Sequence, residues 1–229
     1  MRKLIVAAFV SMDGVMQAPG GPEEDPTGDF GFGGWTATYS DAAIDEAIGA
    51  GMAKPFELLL GRKTWDIFAG HWPYIQTDPA GEGYNEGEAG IATLFNSVTK
   101  HVATRSPGKK LDWQNSRSLG SDVPAAVREL KKGDGPDLFV WGSSDLIQTL
   151  LAEDLVDEFQ LLTYPLTLGN GKRLFGEGTI AAAFKVTKST VSPSGVVIAT
   201  YQRAGEVTTG DFQLKDPSPA ELERRSKLK

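Results

Sequence analysis

Two apolar runs that each stop at a glycine and pass directly into a helix-like segment constrain this chain more than any other feature. They are Phe56-Glu-Leu-Leu-Leu-Gly61 before Arg62-Lys-Thr-Trp65, and Leu138-Phe-Val-Trp-Gly142 before Ser143-Ser-Asp-Leu-Ile147. A buried strand that ends at glycine and hands over to a helix exposes unpaired backbone N–H groups beside the positive end of the helix dipole. Phosphate oxygens bind in such places. Arg62 and Lys63 stand at the first junction, so the economical reading is one ligand with several phosphates lying across neighbouring strand ends. That description fits a nucleotide cofactor.

The elements around these junctions alternate. Lys3 to Val10 is continuously apolar and β-branched, which predicts a strand buried on both faces near the centre of a sheet. Residues 17–34 are rich in Gly, Pro and acid, predicting a mobile covering loop without regular structure. Ala42, Ile44, Ala47, Ile48 and Met52 share a helical face between Asp41 and Met52. Pro73 to Gly90 reads as a poorly structured surface excursion. Lys100–Thr104 reads as a strand, Ser121–Leu130 as a helix with a cap and an early proline, and Glu158–Tyr164, Phe184–Thr190 and Gly195–Arg203 as later strands. With no helix between the last two, the sheet is expected to close antiparallel. The result is one α/β domain over residues 1–204 and a tail over 205–229, where Ser218-Pro-Ala-Glu221 opens a basic helix bearing Arg224, Arg225, Lys227 and Lys229.

Composition then removes whole classes of chemistry. The 229 residues contain no cysteine and two histidines, excluding disulfides, thiolate nucleophiles and Cys-ligated metal, so no metal site is expected. A formal net charge of −7 argues against nucleic-acid or anionic-membrane partners, which need a broad basic face. Leu4 to Val10 is too short to span a bilayer and has no cleavage-site pattern, so the cytoplasm is the expected compartment.

The motifs together resemble the dihydrofolate reductase fold, in the branch related to the reductase domain of bacterial riboflavin biosynthesis. Ser11-Met-Asp-Gly14 resembles that branch's signature after the first strand, and Gly61-Arg-Lys-Thr-Trp65 its motif after the second. Val102-Ala-Thr-Arg-Ser-Pro107 resembles the segment that holds an adenosine 2′-phosphate, and Gly142-Ser-Ser-Asp-Leu-Ile147 the pyrophosphate loop. Pro165-Leu-Thr-Leu-Gly-Asn-Gly-Lys-Arg-Leu-Phe175 and Gly195-Val-Val-Ile-Ala-Thr-Tyr201 resemble later stretches of the same branch. The resemblance implies a three-layer α/β/α fold with a mostly parallel central sheet and an antiparallel C-terminal edge. It also implies NADPH as cofactor, a homodimer, and hydride transfer to a planar heterocycle of pteridine or ribosylamino-pyrimidine type. Two departures stand out. True dihydrofolate reductases have glycine where this chain has Ser143, and an aromatic hydroxyl where it has Ile147. A serine still offers backbone N–H groups and adds a hydroxyl.

The cofactor residues expected are Ala7, Ala8, Gly61, Arg62, Lys63, Thr64, Thr104, Arg105, Ser106, Gly142, Ser143, Ser144 and Leu146. Arg105 grips phosphate bidentately and its flanking hydroxyls add donors, which favours NADPH over NADH. Small Ala7 and Ala8 serve equally as core filler or as the approach for the carboxamide. Substrate-facing candidates are Phe68, Trp72 and Thr163. Proton delivery falls to Asp13, which follows the first strand and serves equally in an Asx turn, or to Asp45 on the first helix. Counting from Gly61 reaches Asp45, whereas counting from Trp35 ends beside Asp41. His71 and His101 read as structural. Loop aromatics Phe30, Phe32, Trp35, Tyr39, Trp72, Tyr74 and Tyr84 are expected to cover the substrate. Two other readings stay open: a non-catalytic nucleotide or ligand binder, and a reductase of an unrelated small molecule.

Overall fold

The computed structural model describes residues 1–106, 108–176 and 179–228; Pro107 of the phosphate segment and Lys229 of the tail lie outside them. An eight-stranded sheet forms the centre, in the order β4-β3-β2-β5-β1-β6-β8-β7. The strands are β1 (Leu4–Ser11), β2 (Phe56–Gly61), β3 (Lys100–Ala103), β4 (Ser116–Ser118), β5 (Asp137–Trp141), β6 (Glu158–Tyr164), β7 (Phe184–Val191) and β8 (Val197–Arg203). From β4 to β6 every pairing is parallel, and β8 runs antiparallel to both β6 and β7. The fold is therefore the α/β sheet with an antiparallel C-terminal edge that the motifs imply.

β1 lies between β5 and β6, and its unbroken apolar run follows from that position. Leu4, Val6, Ala8 and Val10 pack toward α4 (Val123–Lys132) and α5 (Ser144–Ala152) in one core layer. Ile5 and Ala7 pack on the opposite face with Trp65 and Phe68 of α2 (Arg62–Ala69) and Phe95 of α3 (Glu86–Ser97). Strand side chains alternate between faces, so a strand covered by helices on both sides must be apolar at every position.

Helix ends follow local chemistry. Asp41 caps α1 (Ala42–Gly51) by accepting from the amides of Ala43 and Ile44, and Asp122 caps α4 by accepting from Ala125 N. The helix α3 corrects the expectation of an irregular excursion from Pro73 to Gly90. Asn85 caps it by accepting from Glu88 N at 3.0 Å, and Ala89, Ala92 and Phe95 bury one face against the sheet. Gly87 and Gly90 weaken its local propensity, but burial of that face decides the conformation. The short edge strand β4 also lies in a stretch with no strand-like pattern. After β8 the chain leaves the sheet, and α6 (Pro219–Ser226), capped by Ser218, buries no residue.

Candidate functional site

The parallel sheet brings the C-terminal ends of β2, β3 and β5 side by side, because β2 pairs with both β3 and β5. Each end opens into the same cavity of about 630 Å³, within the range of ligand pockets.

At the end of β2, Gly61 precedes α2 without a side-chain cap, leaving the first-turn amides of α2 directed at the cavity. At the end of β5, Gly142 (φ 65) and Ser143 (φ 66, ψ 53) both adopt the left-handed conformation. Consecutive residues of this kind bend the chain sharply and turn amides toward a common point. The Ser143 hydroxyl accepts from Gly61 N at 2.9 Å, tying the two junctions together. A Cβ on Gly142 would lie 3.4 Å from Thr64 Cγ2 in addition to facing an unfavourable φ, so glycine permits the approach of α2. At the end of β3, buried Thr104 accepts from Ser106 N at 3.1 Å, turning the chain so that Arg105 and Ser106 border the cavity.

Of the expected cofactor residues, Gly61, Arg62, Lys63, Thr64, Thr104, Arg105, Ser106, Gly142, Ser143, Ser144 and Leu146 all line this cavity. Arg62 donates from Nε to Asp66 Oδ1 at 2.9 Å and lies over the Trp65 ring. Its Nη1 is buried and has no partner among the described residues. An unpaired buried donor is costly, and Arg62 belongs to the residues that line the cavity. Ala7 and Ala8 instead lie inside the two core layers, one on each face of β1.

The substrate-side expectations divide. Phe68 lines the cavity and stacks on Phe95 with centroids 5.6 Å apart. Trp72 stands behind it, edge-on to Phe68 and Phe95. Thr163 is half-buried near the end of β6, opposite Val10 and Val197. Neither Trp72 nor Thr163 is part of the cavity wall.

Neither proton-delivery candidate, Asp13 or Asp45, lines the cavity. Asp13 accepts from Ser11 Oγ at 2.6 Å and from the amides of Leu168 and Gly169 at 3.1 and 2.8 Å, and Arg173 binds its backbone carbonyl. The Ser11 hydroxyl, followed by those amides, holds its carboxyl down at about 2 against burial. A carboxylate so held clamps the turn after β1 onto the 165–173 segment. Asp45 is exposed on the solvent side of α1. Its neighbour Asp41 is engaged as the cap and by Ser194 N at 2.9 Å. His101 in β3 lies 2.7 Å from Glu57 Oε2, and exposed His71 packs edge-on to Trp72.

The loop aromatics are also redistributed. Phe30 and Trp35 are buried with Val15, Ile44, Leu162 and Tyr164 in a third apolar cluster, and Trp35 Nε1 donates to the Gln17 carbonyl at 2.8 Å. Tyr39 packs edge-on to Tyr164, while Phe32 and Tyr74 are exposed. These rings build a small core under residues 17–34 because the segment buries its own side chains. The segment is pinned further: Gln17 Nε2 donates to the carbonyls of Asp25 and Thr27, its Oε1 accepts from Lys172 N, and Lys172 pairs with Asp25. Phe9, Gln17, Glu24, Asp25 and Lys172 line the cavity and were missed in the sequence. The sequence carried only the acidic run Glu23-Glu-Asp25 as a signal; the burial of Gln17 is seen only in the fold.

Among the described residues, no helix is long and apolar enough to cross a membrane. A mostly parallel sheet whose strand ends meet at one cavity, closed by an antiparallel edge, is the dihydrofolate reductase-like fold. The solved structure of dihydrofolate reductase from Enterococcus faecalis, complexed with NADP(H), superposes with a TM-score of 0.52 over 88% of this chain and 96% of that one, at 15% identity. A protein from Shewanella sp. PV-4 described as a putative riboflavin biosynthesis protein superposes with a TM-score of 0.56 over 88% of this chain and 99% of that one, at 21% identity. The chain belongs to the RibD C-terminal domain family, whose model matches residues 2–198. YyaP of Bacillus subtilis (strain 168), itself of uncharacterized function, is 28% identical over 204 residues, covering 89% of this chain and 96% of YyaP.

Proposed function

We propose that this protein is an NADPH-dependent cytoplasmic reductase that transfers hydride to a small planar heterocycle of the pteridine or ribosylamino-pyrimidine type. The observation that carries the reading is the convergence of Thr64, Arg105 and Ser143 on one cavity from three neighbouring strand ends. Family membership supports the reaction type.

The residues divide the ligand between them. Amides at the start of α2 and α5, with Arg62 and Lys63, neutralise the pyrophosphate. Ser143 keeps the two junctions at fixed separation through Gly61. Arg105, with Thr104 and Ser106 beside it, holds the 2′-phosphate. When bound, the reduced nicotinamide supplies the hydride. Phe68 and Phe9 offer flat apolar walls to a planar acceptor. We also propose that the protein pairs into a homodimer through the β7 edge.

Titration of NADPH and NADH into wild type and Arg105→Ala tests the cofactor. A charge-assisted pair contributes about 1.5–3 kcal/mol, so NADPH affinity is expected to fall roughly tenfold to a hundredfold while NADH affinity holds. Equal effects on both cofactors would remove the 2′-phosphate assignment. Loss of NADPH absorbance with a panel of pterins, pyrimidine-ribitol precursors and quinazolines then tests the reaction. Binding without oxidation across the panel supports a non-catalytic nucleotide binder instead.

A further inference from the structure

Three carboxyls border the cavity: Asp145, Asp25 and Glu24. Asp145 stands in the first turn of α5, at the phosphate end. Asp25 is committed elsewhere. Burial alone would raise its pKa, but hydrogen bonds from Lys172 and Thr27 outweigh burial and hold it below the usual carboxylate range. Glu24 differs from both. Its Oε2 accepts from Gly20 N at 2.6 Å within the covering segment, and Glu24 lines the same cavity as Gln17, Ala18 and Phe68. No salt bridge engages it among the described residues.

We propose that Glu24 is the proton donor of the reduction, a catalytic residue carried by the segment after β1. The inference rests on the reductase reading above. Hydride adds to the carbon of the acceptor C=N or C=O bond, and the π electron pair moves to the heteroatom. That heteroatom takes the Glu24 carboxyl proton, leaving a carboxylate that recovers a proton from water. NADPH, one proton and the acceptor are thereby converted to NADP⁺ and the reduced product.

The surroundings suit this role. Burial pushes the Glu24 carboxyl above its ordinary value, and the adjacent Asp25 charge pushes the same way. The amides of Gly20 and Gly21 and the nearby His71 oppose them without reversing the direction. Lys172, on the same side, pairs with Asp25. A carboxylic acid that retains its proton closer to neutrality is the better general acid at working pH. Asp13 and Asp45 lack both this position and this environment.

The test compares wild type, Glu24→Gln and Glu24→Asp as full chains with NADP⁺ bound. Carboxyl-labelled glutamate NMR, with the Glu24 resonance assigned by its absence in Glu24→Gln, is expected to give a midpoint above 4.5, the ordinary glutamate value. A midpoint at or below that value overturns the proposal. With any substrate that the panel identifies, Glu24→Gln is expected to lose about 10²–10⁴-fold in kcat with unchanged NADPH affinity. Glu24→Asp is expected to restore part of it, and wild-type kcat to fall as pH rises through the Glu24 midpoint. Undiminished turnover by Glu24→Gln overturns the role of Glu24 alone. Absence of NADPH binding by wild type overturns the reductase reading itself. If wild type binds NADPH but reduces no panel member, the NMR midpoint decides. Thermal melting of both variants identifies any loss that comes from unfolding.

Discussion

Asp13 holds together two segments far apart in the chain, accepting from Ser11, Leu168 and Gly169 while Arg173 lies 3.6 Å from its carboxylate. Its folded-state pKa of about 2 lies below the ordinary value of 3.8. The sign follows directly: the ionised form is favoured by folding, so the contribution is complete above pH 4 or so and is lost as pH falls through 3.8 toward 2. Asp13→Asn is expected to lose about 1–3 kcal/mol near neutrality, measured by urea unfolding. The gap from wild type should narrow as pH drops below 4. A gap independent of pH would show that the charge contributes nothing. In the sequence, Asp13 permitted two roles, since Asp before Gly suits both a turn and a site. The partners that hold it in the fold lie some 155 residues away, beyond the reach of any local pattern.

Helix α3 shows how packing outweighs propensity within an element. Two glycines and an acidic start make it look like a loop, yet its C-terminus is closed by a fully buried lysine. Lys100 Nζ donates to the carbonyls of Phe95 at 2.6 Å, Val98 at 2.8 Å and Asn96 at 3.3 Å, with the Trp113 ring 4.2 Å away. A cation on the last carbonyls of a helix answers both its unpaired acceptors and its dipole. Lys100→Met keeps the apolar stem but removes the donor to the carbonyls of Phe95 and Val98, while Asn96 O still accepts from Gln114 and Asn115. The expected cost is about 2–3 kcal/mol by chemical denaturation. A change within about 0.5 kcal/mol, as for an ordinary surface site, would mean that the cap is dispensable. The junctions at Gly61 and Gly142 were legible because an apolar run, a glycine and a helical pattern are adjacent in the sequence. The cap on α3 was not, since nothing before Lys100 marks it as buried.

At the scale of the molecule, β7 forms an open sheet edge. Along it Val186 and Val191 are 56% and 64% exposed, while Lys185 and Lys188 discourage open-ended strand addition. A closed pair about a two-fold axis is the arrangement that satisfies both. Light scattering is expected to give twice the chain mass for wild type and the monomer mass for Val186→Glu. A monomeric wild type would remove the proposed homodimer.

The chain's own pattern determined seven of the eight strands, the central place of β1 and the three glycine-bounded or hydroxyl-bounded strand ends, because those features depend on neighbours within a few residues. Eleven of the thirteen cofactor positions expected from it line one cavity; the exceptions, Ala7 and Ala8, are small residues for which core packing and ligand approach look alike in sequence. Tertiary structure alone decided which acids border the cavity. Asp13 and Asp45 lie off its wall, and Glu24 and Asp25 lie on it because the covering segment is anchored by Gln17 and Lys172 and by its own buried aromatics. The direction of a loop side chain is set by such distant anchors, whereas a strand or helix carries its facing in its own periodicity.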